Sequence, residues 1–183
     1  MPIANSIRMK KIEFILITAT LAILYNNCLA QSNSKFDQTI LNAGFGISNR
    51  GLPVFASIEY GLTEDINLGG EILYSHFKED IEDLNWEHNA FVFSAIVNYY
   101  FDRVLNLQND YDLYAGLSAG FDMISTKEKN KKYNPEYDGD YTSALFYSFR
   151  IGGRYFFNRN MAVKSQFEIG KLIALRFGVS WLF

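Results

Sequence analysis

Few side chains in this sequence could carry out catalysis, and two histidines are the first candidates. His76 and His88 lie in the middle of the chain, and Ser75 directly precedes His76. A histidine that takes a proton from a serine hydroxyl, with a carboxylate behind it, is the arrangement of hydrolytic acyl transfer. Adjacent residues of a strand point to opposite faces, so Ser75 and His76 cannot act on each other directly. We therefore predict no catalytic residue here, because an enzyme would need partners from neighbouring strands.

Two charged stretches raise the question of bound ions. Residues 79–83 read Glu-Asp-Ile-Glu-Asp, and residues 127–132 carry four lysines around one glutamate. The acidic stretch lacks the alternating ligand spacing of a calcium loop, and a solvated loop is the simpler interpretation. The basic stretch is also expected to be a solvated loop, although its lysines could touch phosphate groups. The sequence thus predicts no metal site and no cofactor.

Alternation of apolar and polar residues with a period of two runs through most of the chain. In each segment, apolar residues form one row, and polar, charged or glycine residues form the other. Eight such segments cover residues 39–48, 54–62, 66–77, 89–101, 111–121, 141–157, 161–169 and 172–183. They predict an all-β fold of eight antiparallel strands that are connected up and down into a closed barrel.

Charged residues recur on the polar row, which would face the interior of that barrel. This set comprises Glu59, Glu71, Asp112, Arg150, Arg154, Lys164, Glu168 and Arg176. Eight strands enclose a space that side chains can fill. Each unpaired charge there would cost roughly several kcal/mol, so we expect the charges to pair across the lumen. A narrow, gated path for protons or small ions is the alternative interpretation.

The connections between the segments differ in length. Residues 78–88 and 122–140 form the longest and most charged connections, whereas 63–65 and 158–160 are short. Transmembrane barrels have short turns at one end and longer loops at the other. We therefore expect the two long connections to lie together at one end of the barrel.

The N-terminal residues have the pattern of a secretory signal peptide. A basic segment, 8–11, precedes the apolar run 14–25, and small residues follow up to Ala30. The apolar run is shorter than the ~20 residues of a spanning helix. We predict cleavage after Ala30, which divides the chain into a signal peptide, 1–30, and one barrel domain, 31–183.

An acylated N-terminus is the alternative to simple cleavage. Cys28 is the only cysteine and would become the first residue of a lipoprotein. Such a site prefers a leucine-like residue three positions earlier and a small residue directly before the cysteine. Tyr25 and Asn27 occupy those positions, so cleavage after Ala30 is the preferred interpretation.

The last strand ends on a terminal aromatic residue. Phe177, Val179, Trp181 and Phe183 share one face, and Arg176, Gly178 and Ser180 share the other. In water an exposed aromatic row on a final strand would promote aggregation, whereas in a lipid-facing wall it is expected. The pattern is typical of the C-terminal signal by which the assembly machinery recognises outer-membrane barrels. The residues that carry it are Arg176, Gly178, Trp181 and Phe183.

Composition narrows the classes of partner. Without residues 1–30 the chain has 14 basic and 19 acidic residues, and this net charge of −5 argues weakly against nucleic acid. Aromatic residues make up 16% of the chain, which fits the girdles of a membrane barrel. Beyond residues 14–25 no apolar run could form a spanning helix, so a membrane protein of this sequence would cross as a barrel.

Six short motifs, in their order along the chain, resemble the small bacterial outer-membrane β-barrel family. They are 59–63 (EYGLT), 68–71 (LGGE), 98–101 (NYYF), 152–157 (GGRYFF), 167–170 (FEIG) and the terminal strand 176–183. The resemblance covers residues 39–183 and is to the eight-stranded OmpX and OmpA barrel type, common in Bacteroidota. It implies a monomer in the bacterial outer membrane, with both termini in the periplasm. It also implies contact with outer-membrane lipid and lipopolysaccharide, and with the barrel assembly machinery through the C-terminal strand.

The resemblance implies no single activity, so several functions stay open. The leading interpretation is a structural or surface-interaction barrel that presents 78–88 and 122–140 outside the cell. The alternatives are a barrel that binds or transports a small ligand or ion, and an enzyme that modifies lipid A through His76 or His88. A soluble lipocalin-like barrel is disfavoured because its interior is apolar, whereas here the charges lie opposite the aromatic row.

Overall fold

The alternating segments form strands wherever the structure describes them. The computed structural model describes residues 36–81, 84–108, 110–128 and 141–183. Its strands are β1 (Thr39–Ser48), β2 (Val54–Gly61), β3 (Ile66–Ile81), β4 (Leu84–Tyr100), β5 (Tyr111–Glu128), β6 (Ala144–Phe156), β7 (Met161–Gly170) and β8 (Ala174–Leu182). The prediction of eight strands is confirmed.

Each strand pairs with its neighbours in the chain, and the first pairs with the last. All pairs are antiparallel, and the β1–β8 pair closes the sheet into a barrel. Gly44 and Gly178 lie opposite each other at this seam. A Cβ atom at Gly44 would lie 2.1 Å from the carbonyl oxygen of Phe177, so only glycine allows the two backbones to approach this closely. The predicted up-and-down topology is therefore confirmed, with a close backbone approach at the seam.

The barrel has two distinct ends. At one end, which we call the terminal end, the backbones of Thr39 and Phe183 are hydrogen-bonded to each other. The turns that join β2 to β3, β4 to β5 and β6 to β7 lie there as well. The opposite end, which we call the hairpin end, carries the connection from β3 to β4. The two long connections predicted from the sequence begin at the hairpin end.

The prediction that residues 78–88 form a loop is wrong. β3 continues to Ile81 and β4 begins at Leu84, and the pairing extends from Lys78↔Glu87 to Ile81↔Leu84. β5 likewise continues to Glu128, so residues 122–128 of the predicted loop 122–140 belong to a strand, and β6 begins at Ala144 rather than at 141. Charged side chains ended the apolar pattern in the sequence, but a β-ladder is held by backbone hydrogen bonds and tolerates charges where it leaves an apolar environment.

Apolar residues cover the outside of the barrel, and polar residues line its inside. In β2 the outward residues Val54, Ala56, Ile58 and Tyr60 are exposed, and the alternate residues are buried. Among the residues that the structure describes, no helix has the length and hydropathy of a transmembrane helix. The predicted signal peptide, the alternative lipidation at Cys28 and the lysine-rich segment 129–132 lie outside the described residues.

Candidate functional site

The lumen contains most of the buried charge of the molecule, and Glu59 is the centre of its first cluster. Its carboxylate accepts hydrogen bonds from Arg154 (2.6 Å), Asn42 (2.8 Å), Asn98 (2.9 Å) and Tyr100 (2.9 Å). Asn42 and Asn98 belong to β1 and β4, on either side of the β2–β3 pair. Glu59 thus accepts hydrogen bonds from three strands, β1, β4 and β6, at the terminal end of the lumen.

Two cations and a second carboxylate complete the first cluster. Arg154 lies 3.6 Å from Asp112 and donates a hydrogen bond of 3.1 Å to the hydroxyl of Ser180. Its guanidinium also lies 5.1 Å from the centre of the Tyr114 ring, a cation–π contact. The ammonium group of Lys164 is 3.8 Å from Glu59. The cluster therefore holds two carboxylates and two cations that are all buried.

A second cluster lies in the middle of the lumen. Glu71 is 3.0 Å from Nη1 of Arg176 and 3.3 Å from Nη2 of Arg150. Glu168 forms an ion pair with Arg176, lies 4.0 Å from Arg150 and accepts a hydrogen bond from Ser148. This cluster also contains two carboxylates and two cations.

All eight charged residues predicted for the lumen lie inside the barrel, and the structure brings them together in these two clusters. Their four carboxylates and four cations balance, so the formal charge of the filled lumen is zero. The neutral partners Asn42, Tyr100, Tyr114 and Ser180 were not predicted as part of the site. Their inward position followed from the alternation, but the atoms they would contact did not.

An apolar layer separates the second cluster from the hairpin end. It consists of six buried residues, Phe55, Leu73, Val92, Phe146, Leu172 and Ala174. Leu73 follows Glu71 by two residues along β3, and Ala174 precedes Arg176 by two along β8. The layer therefore lies one step beyond the charges, between them and the hairpin end.

A further ion pair crosses the hairpin end of the lumen and was missed in the sequence. Arg50, from the turn between β1 and β2, forms an ion pair with Asp122 of β5, and both are buried. The Tyr141 ring centre lies 5.4 Å from the Arg50 guanidinium. Asp122 continues the inward row of β5 and was detectable by extending the alternation. No feature of the turn sequence indicates that Arg50 folds inward.

His88 lies near this ion pair and joins three strands. Its Nδ1 is 2.9 Å from the Thr126 hydroxyl of β5, and its Nε2 is 3.3 Å from the Glu79 carboxylate of β3. The ring stacks on Phe77 at a centroid distance of 4.8 Å. His88 thus contacts a hydroxyl and a carboxylate on neighbouring strands. A catalytic histidine in this barrel would need partners of this kind.

The surroundings of His88 differ from those of an active site in two respects. Its side chain is buried on the concave face of the sheet, away from the outer wall. The apolar wall ends on these strands near Tyr74 and Phe91, so His88 lies beyond it. Burial lowers the pKa of His88 below its usual value, although the Glu79 carboxylate opposes this shift.

His76 and Ser75 lie on opposite faces of β3. His76 points outward, with Nδ1 3.2 Å from Asn89, whereas Ser75 is buried in the lumen. The structure therefore does not bring this serine and this histidine together.

The four residues of the predicted C-terminal signal divide between the two faces of β8. Arg176 takes part in the second cluster, and Gly178 packs against the backbone of Ala43. Trp181 and Phe183 are exposed on the outside, where their rings stack at a centroid distance of 5.2 Å. The outward pair is available to a partner, whereas Arg176 is not.

Comparisons with known proteins bear on the fold. No protein-family model matches the sequence, and no curated protein matches it. The solved structure of Ail, the attachment invasion locus protein of Yersinia pestis, aligns with a TM-score of 0.52 at 12% identity, covering 81% of this chain and 99% of that chain. The N-terminal β-barrel domain of Pseudomonas aeruginosa OprF aligns with a TM-score of 0.50 at 18% identity, covering 81% and 98%. Neisserial surface protein A aligns with a TM-score of 0.50 at 16% identity, covering 80% and 95%.

Proposed function

We propose that this chain, which shares the fold of small eight-stranded outer-membrane barrels, is itself an integral protein of the bacterial outer membrane with a surface-interaction role. The observation that carries the proposal is the inverted polarity of the barrel. Its charges are buried in the lumen, and its aromatic and aliphatic side chains are exposed on the outside. A water-soluble barrel has the opposite distribution, so the lipocalin-like alternative has no support.

The height of the apolar wall fits a bilayer. On β4 the outward residues run without a polar side chain from Phe91 to Tyr99. Eight steps of ~3.4 Å span about 27 Å along the strand, or roughly 20 Å along the axis at a tilt of about 40°. The apolar band of membrane barrels is ~25 Å tall. Asn89 and Glu87, the next outward residues, are polar and mark where the strand would leave the membrane.

Aromatic residues at the terminal end support the same placement. Tyr60, Tyr99, Tyr111, Tyr155 and Trp181 are all exposed there. Their amphipathic rings are suited to the boundary between lipid and water, where membrane barrels carry aromatic girdles. We propose that this end faces the periplasm, which places both barrel termini there and the hairpin end outside the cell.

The filled lumen favours a structural or surface role over transport. An ion that entered would meet eight charges already engaged with each other, and then an apolar layer with no group to replace its water. Binding or transport of a small ligand therefore has no supporting observation in the described lumen.

The hairpin end offers the surface for interaction. β3, β4 and β5 continue beyond the apolar wall, and their outward rows there carry Lys78, Glu87 and Lys127 in register. Lys78 pairs with Glu87 at 3.5 Å. We propose that this polar extension, together with the neighbouring connection to β6, meets partners outside the cell, and that the barrel works as a monomer because closure leaves no strand edge within the wall.

Membrane insertion and orientation can be tested together. In a Cys28→Ser background, a cysteine at Lys127 is expected to react with an impermeant maleimide on intact cells, whereas one at Arg159, in the turn after β6, is expected to react only after lysis. The membrane fraction is expected to give a compact unheated band in detergent gels that migrates more slowly after boiling. Recovery in the soluble periplasmic fraction, without a heat-dependent shift, would overturn the proposal.

A second candidate function rests on the contacts of His88 with Thr126 and Glu79. A lipid A-modifying enzyme of this kind would change the mass of lipid A when expressed, and His88→Ala would abolish the change. The concave position of His88 and the use of threonine, a hindered nucleophile, make this candidate the weaker one. An unchanged lipid A mass upon expression would exclude it.

A further inference from the structure

The connection between β4 and β5 folds into a single helical turn at the terminal end. The amide of Leu105 donates to the carbonyl of Phe101 (2.9 Å), and the amide of Leu107 donates to that of Asp102 (2.9 Å). Asn106 ends the turn with a positive φ of 50°, a conformation that asparagine adopts more readily than most residues. The turn is therefore an ordered element rather than an open loop.

One face of this turn is apolar. Residues separated by three or four positions lie on the same side of a helical turn, which groups Phe101, Val104 and Leu105. Val104 is 68% exposed and Leu105 is 51% exposed, so no described part of the barrel covers them. The ring of Phe101 lies 5.0 Å from that of Tyr99, an outward residue of β4. The apolar face of the turn is thus continuous with the outer wall.

The other side of the turn is fixed to the barrel by polar contacts. Arg103 donates a hydrogen bond of 2.8 Å to Asp65 and pairs with Glu64, both in the turn between β2 and β3. The carboxylate of Asp102 accepts a hydrogen bond of 2.8 Å from the amide of Leu113. These contacts favour the orientation in which Val104 and Leu105 are exposed.

We propose that this turn is an interfacial wedge, whose apolar face inserts into the headgroup and acyl-chain boundary of the leaflet at the terminal end. The inference rests on the proposed membrane location. Leu107 supports it, because this residue lines one groove together with Tyr111, Leu113 and Tyr155 of the wall.

The other turns at this end carry one exposed apolar residue each rather than an apolar face. Leu62 begins the connection 62–65 between β2 and β3, Phe157 begins the connection 157–160 between β6 and β7, and the remaining residues of both are polar. The wedge would therefore anchor the barrel on one side, next to the longest strands, and the polar residues of the two other turns would lie in water. The proposal can therefore be tested by comparing how closely the different turns at this end contact lipid.

The test uses single cysteines that carry an environment-sensitive fluorophore, in the Cys28→Ser full chain reconstituted into phosphatidylcholine vesicles. One cysteine replaces Leu105, the matched control replaces Arg159 in the polar turn at the same end, and a third replaces Leu117 on the wall. Each label is exposed to aqueous iodide and, separately, to lipids with a doxyl group, which lies near the headgroup for positions 105 and 159 and near the middle of the acyl chain for position 117. The wedge predicts at least twofold stronger doxyl quenching and at least twofold weaker iodide quenching at position 105 than at position 159.

The label at position 117 in the wall distinguishes failure of the wedge from failure of the membrane location. If the label at 117 is quenched by lipid while that at 105 responds to iodide as strongly as that at 159, the wedge is overturned and the membrane location stands. If the label at 117 is not quenched by lipid either, the membrane location fails and the wedge fails with it. Because Leu105 is exposed, its replacement is not expected to impair folding, and a Val104→Cys variant provides an independent second reading.

Discussion

The guanidinium of Arg154 and the carboxylate of Glu59 lie 2.6 Å apart in the lumen, although 95 residues separate them in the sequence. Arg154 belongs to β6 and Glu59 to β2, which lie four strands apart around a ring of eight, on opposite walls. The pair therefore ties the two walls together through the centre of the barrel. The same principle applies to Arg176 of β8 and Glu71 of β3, three strands apart.

Removing one member of the Glu59–Arg154 pair is expected to destabilise the barrel. Arg154→Met would leave Glu59 with only Lys164 at 3.8 Å as a cationic partner, and we expect a loss of ~3–5 kcal/mol in the free energy of unfolding. The double variant Glu59→Gln/Arg154→Met should recover only part of that loss, because the cluster is electrically neutral again but Asp112 and Lys164 have lost Arg154 and Glu59 as partners. Urea titrations of the barrel in vesicles measure both values.

The exposed pair Lys78–Glu87 provides the matched control for this measurement. Lys78→Met is expected to change the free energy of unfolding by less than ~1 kcal/mol, since water screens the pair. If Arg154→Met were as mild as Lys78→Met, the lumen clusters would not be structural ties.

The apolar layer leads to a prediction about conduction. Phe146→Ala should lower the free energy of unfolding by ~3–5 kcal/mol, because Phe146 is fully buried. The variant should still give no discrete conductance in planar bilayers, since the eight paired charges below the layer remain in place. Discrete channels in the wild type would contradict the closed lumen directly. Channels in Phe146→Ala alone would show that the apolar layer is the only seal.

Much of the lumen could be predicted from the sequence. The alternation of apolar and polar residues shows which side chains of a strand point inward, even when their contacts are unknown. Glu59, Arg154 and the other predicted charges fell on the inward row, and a narrow lumen forces inward charges to meet. The pairing itself was not predictable. Glu59 has two cations in reach, and the choice between them depends on the stagger of the strands.

The hairpin end was less predictable for a physical reason. The apolar pattern reports where a strand contacts an apolar environment, and it stops at the edge of the wall even where the backbone pairing continues. For this reason β3 appeared to end at Phe77, whereas it continues to Ile81. Arg50 was missed because a turn residue has no alternation partner, so nothing in the sequence reports the direction of its side chain.

His88 is expected to make the hairpin end sensitive to acid. Burial lowers the pKa of this imidazole in the folded protein, so the unfolded segment binds a proton more readily. The resulting stability is present above the ordinary histidine pKa of about 6.5 and is lost as the pH falls through the lower, folded value. Amide exchange in the outer parts of β3, β4 and β5, corrected for intrinsic rates, should become faster between pH 7.5 and pH 5.5.

The control for this prediction is His88→Gln, which does not titrate in this range. Exchange in the same amides of that variant should not depend on pH after correction. An equal acid response in the variant and the wild type would assign the effect to another group.

Substitutions in the terminal aromatic pair, Trp181 and Phe183, can distinguish an effect on stability from an effect on assembly. Phe183 is exposed and stacks only on Trp181 among the described aromatic contacts, so Phe183→Ala should cost less than ~1 kcal/mol in vesicles. We propose that the barrel assembly machinery recognises this strand; on that proposal, the same substitution in cells should reduce the heat-modifiable barrel in the outer membrane several-fold. Phe157→Ala is the matched control, since Phe157 is another exposed phenylalanine at the terminal end but lies inside the chain. A similar reduction for both variants would mean that Phe183 acts through the membrane interface alone, whereas a defect confined to Phe183→Ala supports recognition of the C-terminal strand.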